Sequence, residues 1–128
     1  MTPFEVGQTA TIARRFEDQD LEEYSSLVGE PGPPPVAGRN VVPPALIGGM
    51  FSQLLGMYLP GQGTNWLKQK MRFIAPAFTG EALIATVSIV RVRAEKGLVN
   101  LETRCTTSAG RVLCEGEALV LCKEMSPA

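Results

Sequence analysis

The chain contains no histidine. That absence removes the commonest acid–base side chain, the commonest zinc ligand and every Ser-His or Cys-His nucleophile system. Cysteine is scarce, at Cys105, Cys114 and Cys122 only, an odd number without metal-type spacing. These three read as buried thiols of a protein kept in a reducing cytosol, and no metal is expected. Charge is never concentrated: 12 Lys and Arg stand against 13 Asp and Glu, for a net charge of −1. The basic face that nucleic acid requires is therefore missing. The opening MTPFEVGQ lacks the charged and apolar segments of a secretory leader, so a cytoplasmic location is expected. No apolar run reaches the roughly 20 residues that span a bilayer, and no membrane partner is expected.

What is present fits one soluble domain covering residues 1–128, with 45% hydrophobic and 20% charged residues. The chain is organised around Pro43 to Pro60, PPALIGGMFSQLLGMYLP. This stretch reads as a single helix of about four turns. Pro44 suits the first helical position, where a missing N–H is harmless, and Leu59-Pro60-Gly61 stops the helix. Only Ser52 and Gln53 break its apolar character, so it is expected to be buried on all sides. Gly48, Gly49 and Gly56 weaken it by roughly 1 kcal/mol each, which implies that something packs close to them, such as a sheet.

Around that helix the patterns are mostly those of strands. Thr9 to Phe16 is β-branched and partly alternating, a first strand. Asp18 or Asp20 can cap a short helix running to Leu27. Residues 29–43 are rich in Pro and Gly and form an ordered loop, since a linker there would leave the front piece without a core. Asn65 to Ile74 alternates, with Trp66, Lys68, Lys70 and Arg72 on one side and Leu67, Gln69, Met71 and Phe73 on the other. Glu81 to Arg93 is a long strand, Lys96-Gly97 closes a hairpin, and Leu98 to Thr107 returns. Arg111 to Lys123 is the last strand, and Met125 to Ala128 are expected to fray. A buried helix followed by four antiparallel strands is an α+β layout, an antiparallel β-sheet wrapped around one long central helix.

From the central helix onward the chain resembles the MaoC-like, (R)-specific enoyl-CoA hydratase family of hot-dog proteins. The residues that carry the resemblance are Arg39 to Gly56 (RNVVPPALIGGMFSQLLG), Leu59 to Thr64 (LPGQGT), Leu67 to Gln69 (LKQ) and Arg72 to Glu81 (RFIAPAFTGE). The opening FEVGQ and Phe16 fit as well. The resemblance implies a hot-dog fold and action on acyl-CoA or acyl-carrier thioesters, with coenzyme A entering as part of the substrate and no separate cofactor. It implies a homodimer, or a heterodimer with a related hot-dog subunit. It also implies a catalytic Asp and His in a D-x-N-P-x-H element, a second His followed by Gly whose N–H binds the thioester oxygen, and a serine on the helix.

The chain departs from those parts. Glu30 falls where the Asp would be and Pro35 where the His would be, within EPGPPP. Pro43-Pro44 replaces His-Gly, and proline has no N–H to donate. Ser52 matches. Two substitutes follow from the chemistry. Glu30 in an apolar tunnel would have a raised pKa and could act as an acid. Ala45, in the first helical turn, has a free N–H for the oxyanion. Asn40 could aim an amide at a carbonyl, or serve only as a turn residue. Gln53 could serve thioester hydrolysis or face a partner. Trp66 reads as interface or tunnel wall, and Gln69 as a strand position without assigned chemistry. Arg72, Arg91, Arg93 and Arg111 could grip a coenzyme A phosphate, or simply be solvated. Three readings stay open: a hydratase or dehydratase lacking the usual dyad, a hot-dog thioesterase, and a non-catalytic subunit of a hetero-oligomeric hydratase.

Overall fold

The computed structural model describes residues 4–122. Lys123 and the stretch 125–128 expected to fray lie outside them. Five strands, β1 (Thr9–Arg15), β2 (Thr64–Phe73), β3 (Ala82–Arg93), β4 (Leu98–Thr107) and β5 (Val112–Cys122), form one antiparallel sheet. Its order is β1-β3-β4-β5-β2. The expected run of four successive strands is therefore corrected. Only β3, β4 and β5 are joined as a meander; β2 crosses to the far edge and pairs with β5, while β1 closes the opposite edge on β3.

Alternation explains which face of the sheet is covered. Leu83, Ala85, Val87 and Ile89 of β3 are fully buried, as are Val99, Leu101, Thr103 and Cys105 on β4, the last three directly opposite Ile89, Val87 and Ala85. On β5, Cys114, Ala118 and Val120 continue the same face, and Cys105 stands directly across from Cys114. The other face carries Lys70, Arg72, Glu102, Arg104, Glu115 and Glu117 and meets solvent. There Arg72 and Glu115 pair at 2.9 Å, both well exposed, which adds little stability.

The helix α1 (Asp18–Val28) has Glu17 at its N-cap, and Asp20, one of the two expected capping residues, serves from the third helical position in a capping box. The Glu17 N–H donates to Asp20 Oδ2 at 2.7 Å. The central helix α2 (Pro44–Gln53) begins on Pro44, as its fixed φ favours, but does not run straight to Pro60. Residues Leu54–Tyr58 form a π-helical turn, closed where the Leu59 N–H reaches the Leu54 carbonyl at 2.8 Å. Gly56 lies inside this turn, where its freedom lowers the preference for α geometry.

Ile47, Met50, Phe51, Leu54 and Leu55 pack onto the inner face of the sheet. Each such side chain contributes about 1.5–3 kcal/mol on burial. The expectation that the helix is buried on every side is overturned. Ala45, Gly49, Ser52 and Gly56 make an exposed stripe. Nothing lies within 4 Å of where a Cβ on Gly49 or Gly56 would stand, and Gly48 meets only the end of Met71 at 3.8 Å. The sheet does not press on these glycines: α2 approaches it through β3, and the large apolar side chains of β2 stay partly exposed.

A bulge between Trp66 and Lys68 corrects the facing of β2. Trp66 pairs with buried Val120 and so lies on the helix side with Gln69, Met71 and Phe73, while Leu67 is the extra residue. Trp66, Leu67, Met71, Phe73 and Ile74 remain 37% to 52% exposed. The Gln69 amide donates to Thr103 Oγ1 at 3.1 Å and to the Lys70 carbonyl at 2.8 Å.

Candidate functional site: the entrance of the central helix

The turn after β2, residues 75–81, holds the start of α2 in place. Gly80 adopts φ 83°, and its N–H reaches the Phe16 carbonyl at 2.8 Å. The Thr79 N–H donates to the Asn40 carbonyl at 3.1 Å, and the Val42 N–H donates to the Ala77 carbonyl at 2.7 Å. Glu81 fastens the turn from within. Its carboxylate accepts the Phe78 N–H at 2.8 Å and takes Arg111 Nη2 on both oxygens at 2.8 and 2.9 Å. Arg111 Nη1 also donates to the Pro76 carbonyl at 2.8 Å. Burial alone would raise the Glu81 pKa, but Arg111 and the Phe78 N–H hold its carboxyl below the usual range. The Phe78 ring carries Arg39 at 4.2 Å and Arg111 at 5.6 Å from its centroid.

The turn so fastened forms, through Ala75, Pro76 and Ala77, one wall of a cleft of about 300 Å³ at the helix entrance. Pro33 comes from the loop, Val41, Val42, Pro44 and Ile47 from the helix and its approach, and residues 73–77 from the end of β2 and the turn. Every lining side chain is apolar and none can move a proton. On the other side of Pro33 lies a wider recess of about 490 Å³ that mixes Leu21 and Pro31 with the polar Asp18, Glu22, Ser25 and Asn40. Hydrogen bonds from Asn40 and Thr79 hold the Asp18 carboxyl below its ordinary value.

The structure separates the residues that the sequence singles out. Ala45 lies in the first turn of α2, where N–H groups have no intrahelical acceptor. Ser52 is exposed on the open stripe and Gln53 is half-buried beside it, so neither is the buried polar group expected. Glu30 is exposed in the loop just beyond Gly29 and does not line the apolar cleft, so it is not the tunnel carboxylate expected. The Asn40 amide is committed to Asp18 Oδ1 at 2.9 Å and ties the loop to α1 instead of aiming into the cleft. Arg72 and Arg111 hold glutamates and Arg93 holds Asn100 at 3.0 Å. Sequence reasoning missed Arg39 and Glu81 as a pair of flanking and clamp residues; the signal was their common neighbour Phe78 in the RFIAPAFTGE segment. Among the described residues no group of three or more Cys, Asp or Glu side chains comes together as a metal site would require. Cys105 is pushed up to about 12 by burial and by neighbouring Cys114, and burial with nearby Glu115 pushes Cys114 up to about 11.

No protein-family model matches the chain. Over 125 residues it is 34% identical to an (R)-specific enoyl-CoA hydratase of Aeromonas caviae, covering 91% of this chain and 93% of that protein. An (R)-specific enoyl-CoA hydratase of Rhodospirillum rubrum is 32% identical over 124 residues, covering 90% and 85%. Among solved structures, the (R)-hydratase from A. caviae involved in PHA biosynthesis superposes with a TM-score of 0.86 at 31% identity, over 93% of this chain and 97% of that one.

Proposed function

This chain belongs to the MaoC-like, (R)-specific enoyl-CoA hydratase family of hot-dog proteins, and we propose that it binds acyl thioesters at the entrance of α2 with little or no hydratase turnover of its own. The thioester is carried by coenzyme A or an acyl carrier, and no further cofactor takes part. One observation carries this reading: the cleft at the helix entrance is wholly apolar, with no side chain that can transfer a proton. Hydration of an enoyl thioester needs a base to activate water, a proton for the α-carbon and a donor for the enolate-like oxygen. Of these, the chain offers only the donor, as the Ala45 N–H. Glu30 would have to leave solvent to become the base, and Pro31, Pro33, Pro34 and Pro35 stiffen the loop that carries it. Ser52 lies further along the open stripe of α2, where an acyl chain or a partner would run.

The test follows crotonyl-CoA and saturated acyl-CoAs with purified protein, recording enoyl absorbance, thiol release and binding. Binding with hydration at least about 10³-fold below an ordinary family member is expected, since the cleft supplies no general acid or base and such proton transfer contributes about 10²–10⁴. Ordinary hydratase turnover would refute the reading and assign the work to Glu30 and Ala45. Thiol release would instead point to thioester hydrolysis through Glu30 or Gln53, Asn40 being held by Asp18.

A second reading, a subunit that completes a catalytic neighbour, is favoured by the exposed apolar side chains of β2 beside the open stripe of α2. An edge strand of this kind is a liability unless paired. We infer an edge-to-edge dimer, with a second copy or with a related hot-dog chain. A second copy also lacks histidine, so only a related chain could supply that group. Light scattering on the protein alone and with such a chain separates the two, and a stable monomer under both conditions would refute both. No helix among the described residues is long and apolar enough to cross a membrane.

A further inference from the structure

We propose that Arg39 is the anion anchor of this site, its guanidinium holding the phosphate of the pantetheine arm that delivers the acyl thioester. The inference rests on the acyl-thioester reading above and names the residue that would recognise the carrier. Arg39 does not line the apolar cleft but flanks it along the chain. It precedes the lining residue Val41 by two positions, and the ring beneath it, Phe78, follows the lining residue Ala77.

Two independent features fix it there. The backbone is closed into a tight turn: the Val36 N–H donates to the Arg39 carbonyl at 2.9 Å, and the Arg39 N–H donates to the Val36 carbonyl at 3.0 Å. Ala37 and Gly38 within the turn have φ of 50° and 74°. A left-handed alanine is a strained choice that persists only where its surroundings impose it. The side chain is held as well, with its guanidinium carbon 4.2 Å from the Phe78 centroid, within cation–π range.

The charge so presented is not consumed by the protein. Arg39 is exposed, and its guanidinium has no hydrogen-bond acceptor among the described residues. The neighbouring carboxylates accept their hydrogen bonds from others, Asp18 from Asn40 and Thr79 and Glu81 from Arg111, although Glu81 also feels the Arg39 charge from a distance. A planar fork of N–H donors beside an apolar cleft matches a ligand with an apolar chain at one end and a phosphate at the other.

Binding of butanoyl-CoA, butanoyl-phosphopantetheine and butanoyl-pantetheine is measured by calorimetry for the native protein, Arg39→Gln and Arg39→Lys, at low and high salt. Arg39→Gln is expected to weaken the phosphate-bearing thioesters about tenfold or more, the effect of one charge-assisted hydrogen bond, and to leave the pantetheine thioester unchanged. Arg39→Lys should fall between, keeping the charge but losing the fork. Equal loss for CoA and phosphopantetheine places the contact at the phosphate that CoA and carrier proteins share; loss for CoA alone overturns the assignment by moving the contact to the nucleotide phosphates. Native affinity of Arg39→Gln for all three thioesters overturns the assignment, and so does an equal loss for butanoyl-pantetheine, which would make Arg39 a shaper of the cleft. If the native protein binds none of the three, the acyl-thioester reading falls and this assignment falls with it.

Discussion

Replacing Glu81 by alanine tests whether the clamp around Phe78 positions the helix entrance. Three hydrogen bonds at 2.8–2.9 Å end on this carboxylate. Its side chain is 19% exposed and that of Arg111 is 38% exposed. Loss of the carboxylate leaves the Phe78 N–H without an acceptor, which costs about 1–3 kcal/mol. Arg111 can turn to water, so its share of the ion pair is discounted to about 1 kcal/mol. The total is about 2–4 kcal/mol, or a fall in Tm of roughly 6–15 °C for a domain of this size. The sign of the pH dependence is fixed. Glu81 has a folded pKa below its ordinary 4.5, so its contribution is complete above that value and is lost as pH falls through the lowered one. The gap between native protein and Glu81→Ala should therefore narrow in acid. Thermal unfolding followed by circular dichroism from neutral pH down to about pH 3 reads both effects. A Tm within about 2 °C of native, or a gap that stays constant in acid, would refute the clamp.

Further outcomes follow from other parts of the fold. A Cβ on Gly116 would collide with the Lys70 carbonyl across the β5–β2 pairing, so Gly116→Ala should lower stability by about 1–3 kcal/mol and loosen β2 first, as hydrogen exchange of the β2 amides would report. Cys105 and Cys114, with thiols held near 12 and 11, should resist alkylation at mildly alkaline pH in the folded protein and react on denaturation; mass spectrometry showing rapid native labelling at either position would contradict their burial. Ser52→Leu should abolish acyl-thioester binding while leaving the thermal transition nearly unchanged, because Ser52 is exposed on the open stripe; unaltered binding would make it a bystander.

The strands were largely legible because their two-residue alternation is a local property: β4 runs from Leu98 to Thr107 as expected, and β3 begins one residue late, at Ala82. The order of β2 in the sheet was not legible, since nothing within Asn65 to Ile74 specifies which strand it will pair with. Nor was the bulge that turns Trp66 to the helix side, because a single extra residue inverts an alternation without leaving a compositional mark. The apolar sequence of α2 misled for a related reason: small residues such as Ala45, Gly48 and Gly49 satisfy a buried position and an open stripe equally well. At the candidate site, the sequence drew attention to the entrance of α2 but not to its arrangement. Asn40 and Glu30 carry suitable chemistry, and only tertiary structure shows one held by Asp18 and the other left in solvent.

The clamp has a kinetic consequence. Its partners are drawn from the end of β1 at Phe16, the approach to α2 at Asn40 and Val42, the turn at Ala77 to Glu81, and β5 at Arg111. The β3–β4–β5 meander can assemble from neighbours in sequence, whereas the cleft requires segments up to about 95 residues apart to converge, and such long loops close at a greater entropic cost. A chain that has formed the meander alone would show most of its strand signal and still have no helix entrance. In refolding, the capacity to capture an acyl thioester should thus arise after the bulk of the secondary structure, making ligand capture a reporter of the last step rather than of collapse.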